Sequence, residues 1–344
     1  MTLFRRIAAS LALAGLASAQ AEITLDQISP KNGPFPVIPL LGFGTWELPN
    51  SRVGSEAVAN AIVTGFRHFD CAQAYSNQKA VATGLKDGLQ RAGLKRQDIW
   101  VTTKIWSTRH GSKIPSGLDQ NLQELGLDYI DLVLMHFPIG SATGKAEYDY
   151  VAVRMLPPVR DHQTWKEMEK LVAGGKVRHI GISNFNIQQL SELLGNATIK
   201  PFTHQNELHP YLQQKSFVEF HKKNNVTLTA YAPLGNTNSA YRQRASRTGA
   251  PGKMLADPVL GEIGKARGCS PAQVALKWNM RRGVVVHPKA ANKDHQKENF
   301  EAYKCPLTAE DDAKIAAIDK KYRFWNPCKM LLQLECFMGL DGYP

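Results

Sequence analysis

No GxGxxG fingerprint follows the first strand-like stretch, so a doubly wound dinucleotide site has no glycine turn on which to seat a pyrophosphate. The 5 cysteines, Cys71, Cys269, Cys305, Cys328 and Cys336, fall in no CxxC or zinc-ligand spacing, which removes thioredoxin-like and structural-zinc chemistry. Cys328 and Cys336 are near enough in the tail to be considered as a pair. Past the first twenty residues no apolar run approaches the ~20 residues that span a bilayer. The stretches 130–135 and 283–286 are strand-sized, and no membrane anchor is expected. An arginine-rich tail and an interleaved basic-aromatic module are both missing, so the net charge of +12 reads as a basic solvated face with one anion site, and no nucleic-acid partner is expected. No heptad or isolated apolar face argues for assembly.

Arg5 and Arg6 precede the apolar run Ile7 to Ala17, which closes in the small residues Ala17-Ser18-Ala19. That pattern is a secretory signal peptide over 1–19, with a mature chain from Gln20 that is secreted or held in the secretory pathway; a cytoplasmic protein with an N-terminal extension is the alternative. The sequons Asn196-Ala-Thr198 and Asn225-Val-Thr227 are compatible with that route.

From 20 to 344 strand and helix signals alternate. A β-hairpin is expected over 21–35, and strands over 38–42, 66–69, 99–103, 130–135, 176–182, 202–206, 226–231 and 283–287. Helices are expected over 51–64, 78–90, 118–125, 162–173, 258–267, 270–281, 289–299 and 308–322, with long loops at 138–160 and 233–252. The repeat of strand and helix predicts a single (β/α)8 TIM barrel with an N-terminal β-hairpin, long loops on the C-terminal face and a variable tail from about 323; a doubly wound sheet is the competitor.

In such a barrel, functional groups gather at the carboxyl ends of the strands. Those ends carry Asp70, Lys104, His136, Asn184, Gln205 and Lys289, and Tyr75 lies in the loop after Asp70. A single strand-end Asp is most simply a cap or loop acceptor. An acid, an ammonium and an imidazole at the ends of three successive apolar strands, with a phenol beside them, suit proton transfer. A free phenol with pKa about 10 donates poorly near neutrality unless its anion is stabilised.

The segments HFDCAQAYSNQ, VTTKIW, DLVLMHFP, IGISNF, THQNELHP, AYAPLG and VVVHPKA resemble, in order, the motifs of the aldo-keto reductase superfamily across nearly all of the mature chain. The resemblance implies that Tyr75 is the general acid, that Lys104 stabilises its anion, that Asp70 holds Lys104, and that His136 orients the carbonyl. It implies a nicotinamide cofactor, with Ser183, Asn184 and Gln205 on the carboxamide and Tyr231 stacked on the ring. Lys289 and Asn292 fall at the 2′-phosphate of NADPH, and Glu298 and Asn299 at the adenine. Ala290 and His295 stand where the family carries Ser and Arg, so NADPH is expected with weakened discrimination against NADH. Trp46, Trp106, His136 and Phe137 match substrate-pocket positions, which suits a small aldehyde or ketone. A secreted, non-catalytic barrel that binds a small molecule or a protein partner is the alternative function.

Overall fold

The computed structural model describes residues 22–31, 33, 37–138, 140, 161–235, 237 and 251–325. The leader, most of both long loops and the tail with Cys328 and Cys336 lie outside the described residues.

One 8-stranded parallel sheet runs in sequence order: β1 Phe43–Gly44, β2 His68–Asp70, β3 Trp100–Ile105, β4 Ile130–Met135, β5 Val177–Ser183, β6 Thr203–Glu207, β7 Thr227–Tyr231 and β8 Val285–Val286. A parallel bridge between Leu41 and Val286 closes the sheet on itself, with Gly42 N–H donating to Val286 O at 2.8 Å and Val286 N–H to Leu40 O at 3.0 Å. The fold is therefore the (β/α)8 barrel that the alternating pattern predicts. Helices α1 Leu25–Ile28, α2 Arg52–Thr64, α3 Gln78–Ala92, α4 Ile114–Leu125, α5 Asp161–Ala173, α6 Ile187–Asn196, α7 Lys215–Lys223, α8 Pro258–Arg267, α9 Pro271–Arg281, α10 Lys293–Phe300 and α11 Ala309–Ala316 complete the described elements.

β4 shows why an unbroken apolar run suits this position. Leu132 and Leu134 point inward and pack with Trp100 and Val285, while Val133 and Met135 point outward into the larger core under the helices. Full burial of each such side chain contributes about 1.5–3 kcal/mol. The opposite case lies just before β1, where a Cβ on Gly42 would lie 2.5 Å from His287 Cδ2 and 2.9 Å from His68 Nδ1. The bare backbone there lets two buried imidazoles meet edge to face at 4.6 Å inside the barrel.

The expected N-terminal hairpin is not formed over 22–31. Thr24 and Gln27 make a reciprocal capping box, and the chain turns into α1, which buries Ile28. The apolar alternation of Ile23 and Leu25 is overridden by that local bonding. Other differences are boundaries. The helix expected from 289 begins at Lys293 because the Asn292 side chain accepts from the N–H groups of Asp294 and His295. The helix expected to 322 stops at Ala316. Beyond it, the N–H groups of Lys320 and Tyr322 both donate to Tyr211 O, which draws the chain along the loop after β6. α6 and α7 fill positions for which no helix was delimited from the residues. Cys269 and Cys305 form a disulfide with Cα atoms 5.9 Å apart, a pairing that spacing alone does not reveal.

Candidate active site

Asp70 closes β2, Lys104 lies near the end of β3, and Tyr75 ends the single 3-10 turn Gln73–Tyr75 that follows β2. Parallel registry of Asp70 with Thr102 brings the two strand ends side by side. The Lys104 ammonium, 1% exposed, lies 2.8 Å from each Asp70 carboxylate oxygen, 3.0 Å from Cys71 O and 3.0 Å from the Tyr75 hydroxyl. Gln205 Nε2 donates to Asp70 Oδ1 at 2.8 Å. Burial works to raise the Asp70 pKa, but the Lys104 charge and the bonds from Lys104 and Gln205 outweigh it and hold the carboxyl below its ordinary value. The pair is thus an ionised carboxylate with a buried ammonium whose remaining reach is toward the phenol. Cys71, between them in sequence, is pushed up to about 12 by burial and the Asp70 charge, so its thiol takes no part.

His136 follows β4 and packs edge-on against the Tyr75 ring at 6.0 Å. Burial, reinforced by the Lys104 charge, holds this imidazole well below its ordinary pKa. It is neutral near pH 7 and offers one ring N–H. Its Nδ1 has no hydrogen-bond partner among the described residues.

A cleft of about 620 Å³ opens over these groups. Asp70, Tyr75, His136, Ser183, Asn184, Gln205, Tyr231, Lys289, Asn292, His295, Glu298, Asn299, Trp46 and Phe137 line it, which brings nearly every residue singled out in the sequence onto one rim. Lys104 lies just beneath, covered by Tyr75. Trp106 is the exception among the pocket residues. Its indole is 5% exposed and packs edge-on to His136 at 5.1 Å and Phe137 at 5.6 Å, so it backs the wall instead of forming its surface.

The floor is an interlocked set of amides and hydroxyls. Ser183 Oγ donates to Gln205 O at 2.9 Å, Asn184 Nδ2 donates to His136 O at 2.9 Å, and the Tyr231 hydroxyl donates to Asn184 Oδ1 at 2.9 Å. Asn184 adopts a left-handed φ of 65°, a conformation Asn tolerates better than most residues. At the far end, α9 and α10 both point their N-termini toward the cleft, with Ser270, Pro271 and Ala272 lining it beside exposed Lys289. Positive helix ends and an ammonium together suit phosphate. Gln296, buried in α10, donates to Ala57 O and Ala290 O and so ties this phosphate-facing turn to α2. A planar amide-binding floor, a Tyr ring and a cationic far end fit the parts of a nicotinamide dinucleotide.

His287 and Trp325 also line the cleft and were not singled out from the sequence. His287 gave no signal beyond its place after an apolar strand, and both of its ring nitrogens lack partners among the described residues. The N-terminus of α9 had a readable signal, the Ser270–Gln273 capping box, and the Cys269–Cys305 disulfide lies directly beside it.

A phenol beside a buried ammonium that favours its anion, facing a trench for a dinucleotide, is the division of labour of a nicotinamide-dependent oxidoreductase built on a barrel. The chain belongs to the aldo/keto reductase family, whose model matches residues 40–320. It is 40% identical over 290 residues to an aldo/keto reductase of Synechocystis, covering 83% of this chain and 87% of that protein. It is 36% identical over 305 residues to the NAD(P)H-dependent D-xylose reductase of Scheffersomyces stipitis, covering 84% and 93%. Among solved structures, the aldose reductase of Schistosoma japonicum superposes with a TM-score of 0.79 at 31% identity, over 92% of this chain and 99% of the other. The chain is accordingly an NAD(P)H-dependent oxidoreductase of carbonyl chemistry.

Proposed function

We propose that the protein reduces a small aldehyde or ketone to its alcohol with NADPH, as a monomer, with Tyr75 as the general acid. The observation that carries this reading is the 3.0 Å contact from Lys104 Nζ to the Tyr75 hydroxyl, with Asp70 fixing the ammonium from behind. When bound, the dihydronicotinamide supplies the hydride. Tyr75 gives its proton to the substrate oxygen, and Lys104 stabilises the phenolate left behind. Neutral His136 donates a hydrogen bond to the same oxygen and sets the face presented to the floor. NADPH is favoured over NADH by Lys289 and the α10 N-terminus, with Ala290 and His295 narrowing the preference.

The test is direct. Purified mature protein should quench on NADPH addition and oxidise it in the presence of simple aldehydes. Tyr75→Phe should cut kcat by at least ~10²-fold while leaving the NADPH Kd within about threefold. Unchanged turnover would remove Tyr75 as the acid, and no NADPH binding at all would remove the reductase reading.

A secretory location is part of the proposal. It is supported by the leader pattern, the Cys269–Cys305 disulfide and the exposed positions of Asn196 and Asn225 at the ends of α6 and α7, on the barrel face away from the cleft. Sequencing the N-terminus of protein from its native cell should find Gln20; an intact Met1 would overturn the export route.

A further inference from the structure

Glu207 closes β6 and is 0% exposed, yet it does not line the cleft. Apart from a bond with nearby His209, its carboxylate contacts go to a segment more than a hundred residues later. Oε1 accepts from the backbone N–H of Phe324 at 2.6 Å and from His209 Nε2–H at 2.9 Å. Oε2 accepts from the N–H of Trp325 at 2.9 Å, and Arg323, its side chain 1% exposed, places Nη1 4.0 Å from the same oxygen. The residues just before are held too, since Lys320 and Tyr322 donate to Tyr211 O, and Phe324 packs against His209 at 5.0 Å. Two successive backbone N–H groups received by the two oxygens of one buried carboxylate form a more directional anchor than separate loop bonds. Ordinary packing of a tail would not require it.

What this anchor positions is Trp325. Its indole is 8% exposed, lines the cleft, and meets Trp46 edge to face at 5.4 Å and 71°. Trp46, on the loop after β1, and Trp325, far along the chain in sequence, thus form one aromatic wall of the cleft that Tyr75 and His136 also line. The pairing depends on a backbone position that Glu207 sets.

We infer that Glu207 is a positioning residue for substrate selection: its carboxylate latches the 323–325 segment so that Trp325 and Trp46 make the wall against which larger carbonyl substrates bind. The inference rests on the carbonyl-reductase reading for its kinetic consequences and not for its structural ones. Glutamine at 207 keeps one oxygen acceptor but turns an N–H2 toward one of the two backbone donors, and it leaves Arg323 without its counter-charge.

The experiment compares wild type, Glu207→Gln, Trp325→Ala and the double variant, each with propanal, which is too small to reach the wall, and naphthaldehyde, which reaches it. Glu207→Gln should raise KM for naphthaldehyde about tenfold or more, while kcat with propanal and the NADPH Kd stay within about twofold. If Glu207 acts through Trp325, the double variant should show the KM of Trp325→Ala alone, because the second change removes nothing further. Multiplying effects, or an unchanged naphthaldehyde KM, would overturn the inference. Hydrogen exchange on the wild type provides a measurement that needs no variant. The amides of Phe324 and Trp325 should be protected as strongly as those of β6, and exchange at free-chain rates would overturn the latch whether or not Glu207→Gln folds. A wild type that oxidises NADPH with neither aldehyde would count against the reductase reading, and the exchange result would still decide the latch.

Discussion

Asp70→Asn is the most informative single change to the site. In the wild type the carboxylate takes Lys104 on both oxygens at 2.8 Å and Gln205 on Oδ1 at 2.8 Å. If the Asn oxygen keeps the place between Lys104 and Gln205, its amide group faces the ammonium as donor against donor. One charge-assisted bond is lost, and so is the only counter-charge among the described residues in contact with a lysine that is 1% exposed. Breaking a buried pair by removing one partner costs about 3–5 kcal/mol, and that is the expected loss of unfolding free energy by urea titration. The unpaired ammonium is no longer fixed against Tyr75, which deprives the Tyr75 anion of its positioned stabiliser. Because positioned proton transfer contributes ~10²–10⁴-fold, kcat should fall at least ~10²-fold, with the NADPH Kd by fluorescence quenching within about threefold. The acid side adds a check of sign. The Asp70 pKa is lowered on folding, so the pair stabilises above the unfolded value of 3.8, and that stability is lost as pH falls through the folded value. The variant should lack this acid-side loss. A kcat within threefold of wild type, together with unchanged stability, would refute the role given to the Asp70–Lys104 pair.

Acid should also weaken the protein well above the carboxylate range. His110, His221 and His287 are each lowered by burial to about 4 from 6.5, so the unfolded chain binds more protons between those values and stability drops as pH is lowered from 6.5 toward 4. Each contributes roughly 3 kcal/mol over that window, and denaturant titrations at pH 7, 6 and 5 should show a steep slope where a flat profile would contradict the burial. At the far end of the cleft, Lys289→Met should weaken NADPH about 10–100-fold, as expected for loss of one charged hydrogen bond, and NADH less than threefold. Equal losses for both cofactors would place Lys289 on a shared part of the dinucleotide.

The barrel was legible because its strands are short apolar runs ending in chemistry. DLVLM is buried on both faces as β4, and Asp70, Lys104 and His136 converge because each terminates a strand and strand ends share one rim. What the sequence left hidden depends on contacts between distant residues. Trp106 matches an expected pocket position, but only the rings of His136 and Phe137 in front of it decide that it backs the wall. Glu207 reads as one more strand-end acid in QNELHP, and nothing local points it at the backbone of residues 324 and 325. The N-terminal alternation was misleading for the opposite reason, since a local capping box outweighed a two-residue apolar pattern. The Cys269–Cys305 pair needed the three-dimensional approach of α9 to the segment after α10.

That disulfide has a consequence for handling the protein. It staples the turn leading into α9, whose first residues line the phosphate-facing end of the cleft, to the residue after the 3-10 turn Glu301–Lys304 that follows α10, whose Glu298 and Asn299 line the same end. Closing a loop with a sequence separation of 36 removes about 4 kcal/mol of chain entropy from the unfolded state. Material produced in a reducing cytosol, or kept in thiol buffer, would therefore unfold more readily than the cross-linked form.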